Sequence, residues 1–182
     1  MLPPGHVAAG FLTAEALLKI TKPELSFSQY RDLLYWGMFF GFAPDLDYFL
    51  AFAIQKAWTI PDFEKNSHRR FLSHAPIMWL LVGLAIFFTA QTAFFKTFGL
   101  IVWLASWGHF LLDTIEFGIM WFWPVSTKKF YFIFRAEQKN HQLNFVSFWW
   151  QAVKYYCSSV SFYFEVLLIM FFVFGFYKLV IK

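Results

Sequence analysis

Five apolar segments, separated by polar stretches, set the pattern of this chain. Residues 7–20 form a short apolar segment interrupted by Glu15, below the ~20 residues that a perpendicular membrane span needs, and predict a short or tilted helix. Lys22-Pro23 ends it, and Ser28 or Asp32 can cap a second helix over about 33–55. In the middle of that helix stands Pro44-Asp45-Leu46-Asp47, where proline removes a backbone hydrogen bond, so a broken helix is expected. A polar loop over 55–73 leads to an uncharged run over 75–95, with Ser73 placed to cap it and Pro76 suited to its first turn. Lys96 marks a tight turn into a fourth helix over 97–124, whose exit carries Trp121-Phe122-Trp123 as an aromatic belt. Residues 128–144 are polar, with Phe130-Tyr131-Phe132-Ile133-Phe134 expected along the interface. Residues 155–177 make the last hydrophobic segment, with Glu165 as its one charge.

The expected fold is therefore all-α, a polytopic membrane bundle of about five hydrophobic segments with one broken at Pro44-Asp-Leu-Asp. Composition agrees, because 59% hydrophobic and 25% aromatic residues with 14% charge lie far outside the range of soluble domains. One integral membrane domain covers 1–182: a core over 1–125, an interfacial segment over 126–154 and a last span over 155–178. No repeat and no long soluble loop offers room for a separate active site. The net charge of +4 comes from scattered residues, which points to anionic lipid headgroups and away from nucleic acid. Cys157 stands alone and excludes an internal disulfide or a cysteine metal site. The N-terminus lacks the basic flank and small-residue cleavage site of a signal peptide, so the mature chain is expected to start near Met1.

Against this apolar background the polar positions carry the candidate chemistry. His109 and Asp113 are i and i+4 on one helix face, and Glu116 continues that face at i+7. Ionisable groups at membrane depth cost several kcal/mol unless paired or turned towards water, so they point to function. With alternate crossings, His6, Asp45, Asp47, His68, His74, His109 and Asp113 all converge on one side of the membrane. Nitrogen and oxygen donors of these types suit Zn²⁺ first, and Mn²⁺ or Fe²⁺ as well. The set exceeds one tetrahedral site and allows one or two divalent ions. Arg69 and Arg70 can clamp a phosphate, and Glu116 can serve as general base or as a carboxylate behind the ligands. The bland alternatives are a His–Asp bridge between helices, an Asp-rich turn in headgroup water, a capping His74 and interfacial arginines. Glu15 and Glu165 are expected to make helix–helix hydrogen bonds, and His141 to be solvated. Most of the 15 Lys and Arg lie on the convergent side, which favours a cytoplasmic site.

An N-terminal His6, Pro44-Asp-Leu-Asp47, His68-Arg-Arg-Phe-Leu-Ser-His74 and Trp107-Gly-His109-Phe-Leu-Leu-Asp113, followed by Gly118 and Trp123-Pro124, together resemble the YdjM-like family of bacterial inner-membrane proteins, regarded as metal-dependent hydrolases. The resemblance covers about residues 1–135. It implies a polytopic helical membrane protein with metal-ligating His and Asp. The motif order is also similar to that of zinc-dependent phospholipase C, which implies phosphoester or phospholipid substrates. Tyr48 stands where the family usually has a histidine after its second Asp. Arg70 and Ala75 replace a Gly and a Ser of its His-Arg-Gly-x-Thr-His-Ser pattern, with one extra residue between the histidines, which makes His74 the closer match of the two.

The expected activity is thus a membrane-embedded metal-dependent hydrolase acting on a lipid or lipid-linked phosphoester. Two other readings use the same residues. One is an ion or proton transporter built on the His/Asp cluster, and the other is a non-catalytic membrane protein with a structural metal.

Overall fold

The computed structural model describes residues 1–55, 71–133 and 145–181. His68, Arg69, Arg70 and His141 lie outside the described residues. Among the described residues there are seven α-helices and no strand, only an isolated bridge between Ile119 and Phe130.

Helix α1 spans Pro3–Thr21, four residues earlier than the apolar run begins, and so takes His6 into its first turns. Pro3 and Pro4 explain the early start, since proline suits the first helical positions, where its missing N–H costs nothing. Helix α2 spans Phe27–Phe42 and also starts sooner than expected. Its cap is Ser26 rather than Ser28 or Asp32: the Gln29 N–H donates to Ser26 Oγ at 3.3 Å, and the Ser26 N–H donates to Gln29 Oε1 at 3.0 Å. The break falls where proline places it, in a 3-10 turn over Ala43–Leu46, after which α3 runs Asp47–Gln55.

A second 3-10 turn, Leu72–His74, precedes α4 at Pro76–Thr89. Ala75, not Ser73, occupies the α4 N-cap. Helix α5 spans Ala93–Thr114 and is capped by Thr92, whose Oγ1 accepts from the Phe95 N–H at 3.3 Å, so Lys96 belongs to its first turn and not to a loop. It ends well before Pro124. Gly118 takes a left-handed φ of 81°, and both the Phe117 and Gly118 N–H groups close on the Asp113 carbonyl at 3.0 Å. The chain then folds back, and the Phe132 and Ile133 N–H groups satisfy the carbonyls of Thr114 and Ile115 at 2.9 Å. Helix α6 covers Phe145–Cys157, which removes residues 155–157 from the expected last span, and α7 covers Val160–Ile181.

Helices α1 and α5 are central: α1 packs on α2, α5 and α7, and α5 packs on α2 and α4. Their shared core holds Phe11, Ala14, Leu18, Leu33, Leu34, Ile101 and Ala105. Helix α2 crosses α1 at the backbone, because a Cβ on Gly10 would strike Gly37 and one on Gly41 would strike the His6 carbonyl oxygen. Helix α7 rests on α1 through Phe172, whose ring centroid is 5.1 Å from that of Phe11. Among the described residues two helices, α5 and α7 at 22 residues each, are long and apolar enough to reach across a bilayer on their own, where five segments were expected. The 14 residues of α4 extend about 21 Å against a hydrocarbon core of about 30 Å.

Candidate metal centre

The starts of α1, α4 and α7 and the ends of α2 and α5 meet at one end of the bundle, and the polar residues cluster there. His6, His74, His109 and Asp113 are fully buried, with Asp45 at 8% and Asp47 at 7% exposure. His6 Nε2 lies 3.3 Å from Asp113 Oδ1 and 3.8 Å from Asp45 Oδ2. His74 Nε2 and His109 Nε2 lie 3.6 Å and 3.7 Å from Asp45 Oδ1. The His6 and His109 rings stack, with centroids 3.8 Å apart.

Two hydrogen bonds fix which imidazole nitrogen faces inward. His109 Nδ1 is 2.9 Å from the Gly41 carbonyl oxygen, which only accepts, so Nδ1 carries the proton and Nε2 carries the lone pair. His74 Nδ1 is 2.7 Å from Asp47 Oδ2, and the same reasoning turns its Nε2 towards Asp45. Ser73 Oγ donates to that same Asp47 oxygen, which is why Ser73 does not cap α4. A ligating histidine is held in this way in metal sites generally, by a carbonyl or carboxylate on its far nitrogen.

Ligand atoms of His6, His109 and Asp113, and of Asp45, His74 and His109, lie within 4.8 Å of one another. Both nitrogens of His6, Nε2 of His109 and Oδ1 of Asp47 are buried and make no hydrogen bond among the described residues. Orphaned buried polar atoms are costly, and a divalent cation would satisfy imidazole lone pairs and neutral-to-anionic oxygens together, so the donor set fits one. The amino group of Met1 also enters, donating to Asp113 Oδ1 at 2.7 Å.

A family model described as YdjM inner membrane protein matches residues 1–181. The chain belongs to that family. No curated protein and no solved structure matches it. As a member of the YdjM family it is an inner membrane protein, and its possible metal-binding His and Asp groups come together at the helix ends.

The structure brings His6, Asp45, His74, His109 and Asp113 into one cluster, with Asp47 behind His74. His68, Arg69 and Arg70 lie outside the described residues. Glu116 is placed elsewhere. Because α5 ends at Thr114, Glu116 does not continue the His109–Asp113 face; its carboxylate accepts from the Val160 N–H at 3.3 Å and the Ser161 N–H at 3.0 Å, at the start of α7. Glu165 does make the expected helix–helix hydrogen bond, accepting from the Gly5 N–H of α1 at 3.1 Å, whereas Glu15 pairs with Lys19 within its own helix at 2.7 Å. The contribution of Gly41 was missed from sequence, although Gly37-Met-Phe-Phe-Gly41 carries the small-residue spacing of close helix pairs.

Proposed function

We propose that this YdjM-family protein is a membrane-embedded metal-dependent hydrolase acting on a phosphoester of a lipid or lipid-linked substrate. The observation that carries the reading is the burial of three histidines and two aspartates that form two donor groups sharing His109, His6–His109–Asp113 and Asp45–His74–His109, each with its ligand atoms within 4.8 Å of one another. His6, Asp45, His74, His109 and Asp113 would hold the ion, zinc first and manganese or iron next by donor type. His109 belongs to both donor groups but has one nitrogen to give, since Nδ1 is bound to Gly41, and this favours one ion over two. When bound, such an ion supplies Lewis acidity and lowers the pKa of water towards neutrality.

The chain's own residues orient and exclude. Asp47 and the Gly41 carbonyl hold His74 and His109 in the tautomer that ligation needs. Arg69 and Arg70, which precede the Leu72–His74 turn in sequence, are assigned to the substrate's anionic group. Helices α1, α2 with α3, α4, α5 and α7 form the five crossing segments of this reading, with the site facing the cytoplasm. A buried His/Asp cluster at the ends of apolar helices favours a lipid-borne substrate over a free one.

Metal analysis of the purified protein in mild detergent tests the reading. About one divalent ion or more per chain is expected, lost in the His109→Ala/Asp113→Ala double variant. Release of phosphate or headgroup from a panel of bacterial lipid phosphoesters should depend on the same residues. Absence of metal together with unchanged stability on chelation overturns the proposal. Metal flux in proteoliposomes without turnover would favour a transporter instead.

A further inference from the structure

Helix α7 donates no residue to the metal cluster, yet two buried carboxylates tie it to the helices that do. Glu116 follows α5 and accepts from the Val160 and Ser161 N–H groups at the α7 N-terminus, while Ser159 Oγ accepts from the Phe162 N–H at 3.0 Å. These acceptors satisfy donors that a helix start leaves orphaned. Five residues into α7, Glu165 is 4% exposed and reaches the start of α1. Its Oε1 accepts from the Gly5 N–H at 3.1 Å, and its Oε2 accepts from the Leu2 N–H at 3.4 Å. The Tyr156 hydroxyl of α6 donates to Oε2 and accepts in turn from the Leu2 N–H at 3.3 Å. Burial and the hydrogen bond to Glu165 push that phenol above its ordinary range, so it keeps its proton as a donor. Gly5 permits the approach, since a Cβ there would come within 2.8 Å of Glu165 Cγ.

The bonds close a ring of elements: α5 holds α7 through Glu116, α7 holds α1 through Glu165, and His6 of α1 returns to Asp113 of α5 at 3.3 Å. His6 directly follows Gly5, so a shift of the capped turn is a shift of His6. Fully apolar helices would pack without such a tie, and a carboxylate buried in an apolar segment is otherwise expensive.

We infer that Glu165 is a positioning residue for the metal centre, holding the first turn of α1 so that His6 faces Asp113 and Asp45. The inference rests on the metal-binding reading above. Its test therefore carries one arm that needs metal and one that does not. In the full-length protein, zinc affinity by chelator competition and backbone hydrogen exchange over residues 1–10 and 97–114 would be compared for the native chain, Glu165→Ala and Glu165→Gln. Glu165→Ala is expected to weaken zinc binding by about 10-fold or more, in the range seen for residues behind metal ligands. It should also lose protection in residues 1–10 while residues 97–114 keep theirs. Glu165→Gln retains an oxygen for the Gly5 N–H and should recover most of both. Unchanged affinity in Glu165→Ala overturns the inference, as does a loss of protection spread equally over both segments, which would mark a general packing role. If the native chain takes up no zinc, the metal reading fails by itself, and the exchange arm still decides whether Glu165 fixes the α1 turn.

Discussion

The Gly41 carbonyl accepts the Nδ1 proton of His109 across 2.9 Å, so a backbone group of α2 sets the tautomer of a histidine on α5. The same glycine lets α2 lie against the His6 carbonyl, where a Cβ has no room. One residue thus joins the packing of the bundle to the chemistry of the site.

Gly41→Ala should therefore damage both. Backbone rather than a flexible side chain blocks the added methyl, so the helices must part, at a cost of about 1–3 kcal/mol typical of overpacking. Thermal unfolding in detergent and zinc titration should both register the change. Gly108→Ala is the control on α5, because its nearest neighbour is the movable Thr13 Oγ1 at 3.3 Å, and it should unfold within a few degrees of the native chain. Equal behaviour of the two variants would contradict this view of Gly41.

Asp45 and Asp47, separated by one residue, are expected to differ in kind. Asp45 oxygens face three histidines at 3.6–3.8 Å, whereas Asp47 Oδ2 is occupied by His74 and Ser73. Asp45→Ala should abolish zinc binding. Asp47→Asn should weaken it by about 10–100-fold, through misorientation of His74. If Asp47→Asn removes metal as completely as Asp45→Ala, then Asp47 is a ligand through Oδ1.

Much of this arrangement was legible in the sequence because helix geometry is periodic. The i, i+4 relation of His109 and Asp113 survives in α5, and Pro44 breaks the helix where its missing N–H requires. Segment ends were less legible, since they depend on caps that compete locally. Ser26 with Gln29 outcompeted Ser28, and Thr92 turned Lys96 from a loop residue into a helical one. Glu116 shows the limit most clearly. Its i+7 spacing from His109 held only while the helix continued, and Gly118 with the returning 130–133 segment ended it at Thr114. Its partner, the start of α7, is more than forty residues away, as its separations of 44 and 45 from Val160 and Ser161 record, and no local pattern announces such a pairing.

The outer face of α7 should contact lipid. Met170 is 64% exposed near the middle of a 22-residue helix whose neighbours Phe171 and Phe174 are equally open. An arginine at the centre of a membrane helix costs about 2.5–3.5 kcal/mol on insertion scales. Met170→Arg should thus lower the membrane-inserted fraction in a fractionation assay, while Lys178→Arg at the helix end should not. Full insertion of Met170→Arg would argue against α7 as a span.

Chelation provides the last expectation, and its sign follows from charge. Asp45 and Asp113 are buried beside three histidines, and removing a cation from between buried carboxylates leaves charge that the apolar surroundings solvate poorly. Metal binding adds RT ln(1 + [L]/Kd) to folding stability, about 2.7 kcal/mol at a hundredfold excess over Kd. The native chain should therefore melt lower after chelation and regain its Tm when zinc is restored. In His109→Ala/Asp113→Ala, which lacks both α5 donors of the His6–His109–Asp113 group, neither chelator nor zinc should move the transition. A response to zinc in that double variant would place the ion elsewhere in the protein, and a native chain that ignores chelator would leave the histidine cluster as a packed polar core.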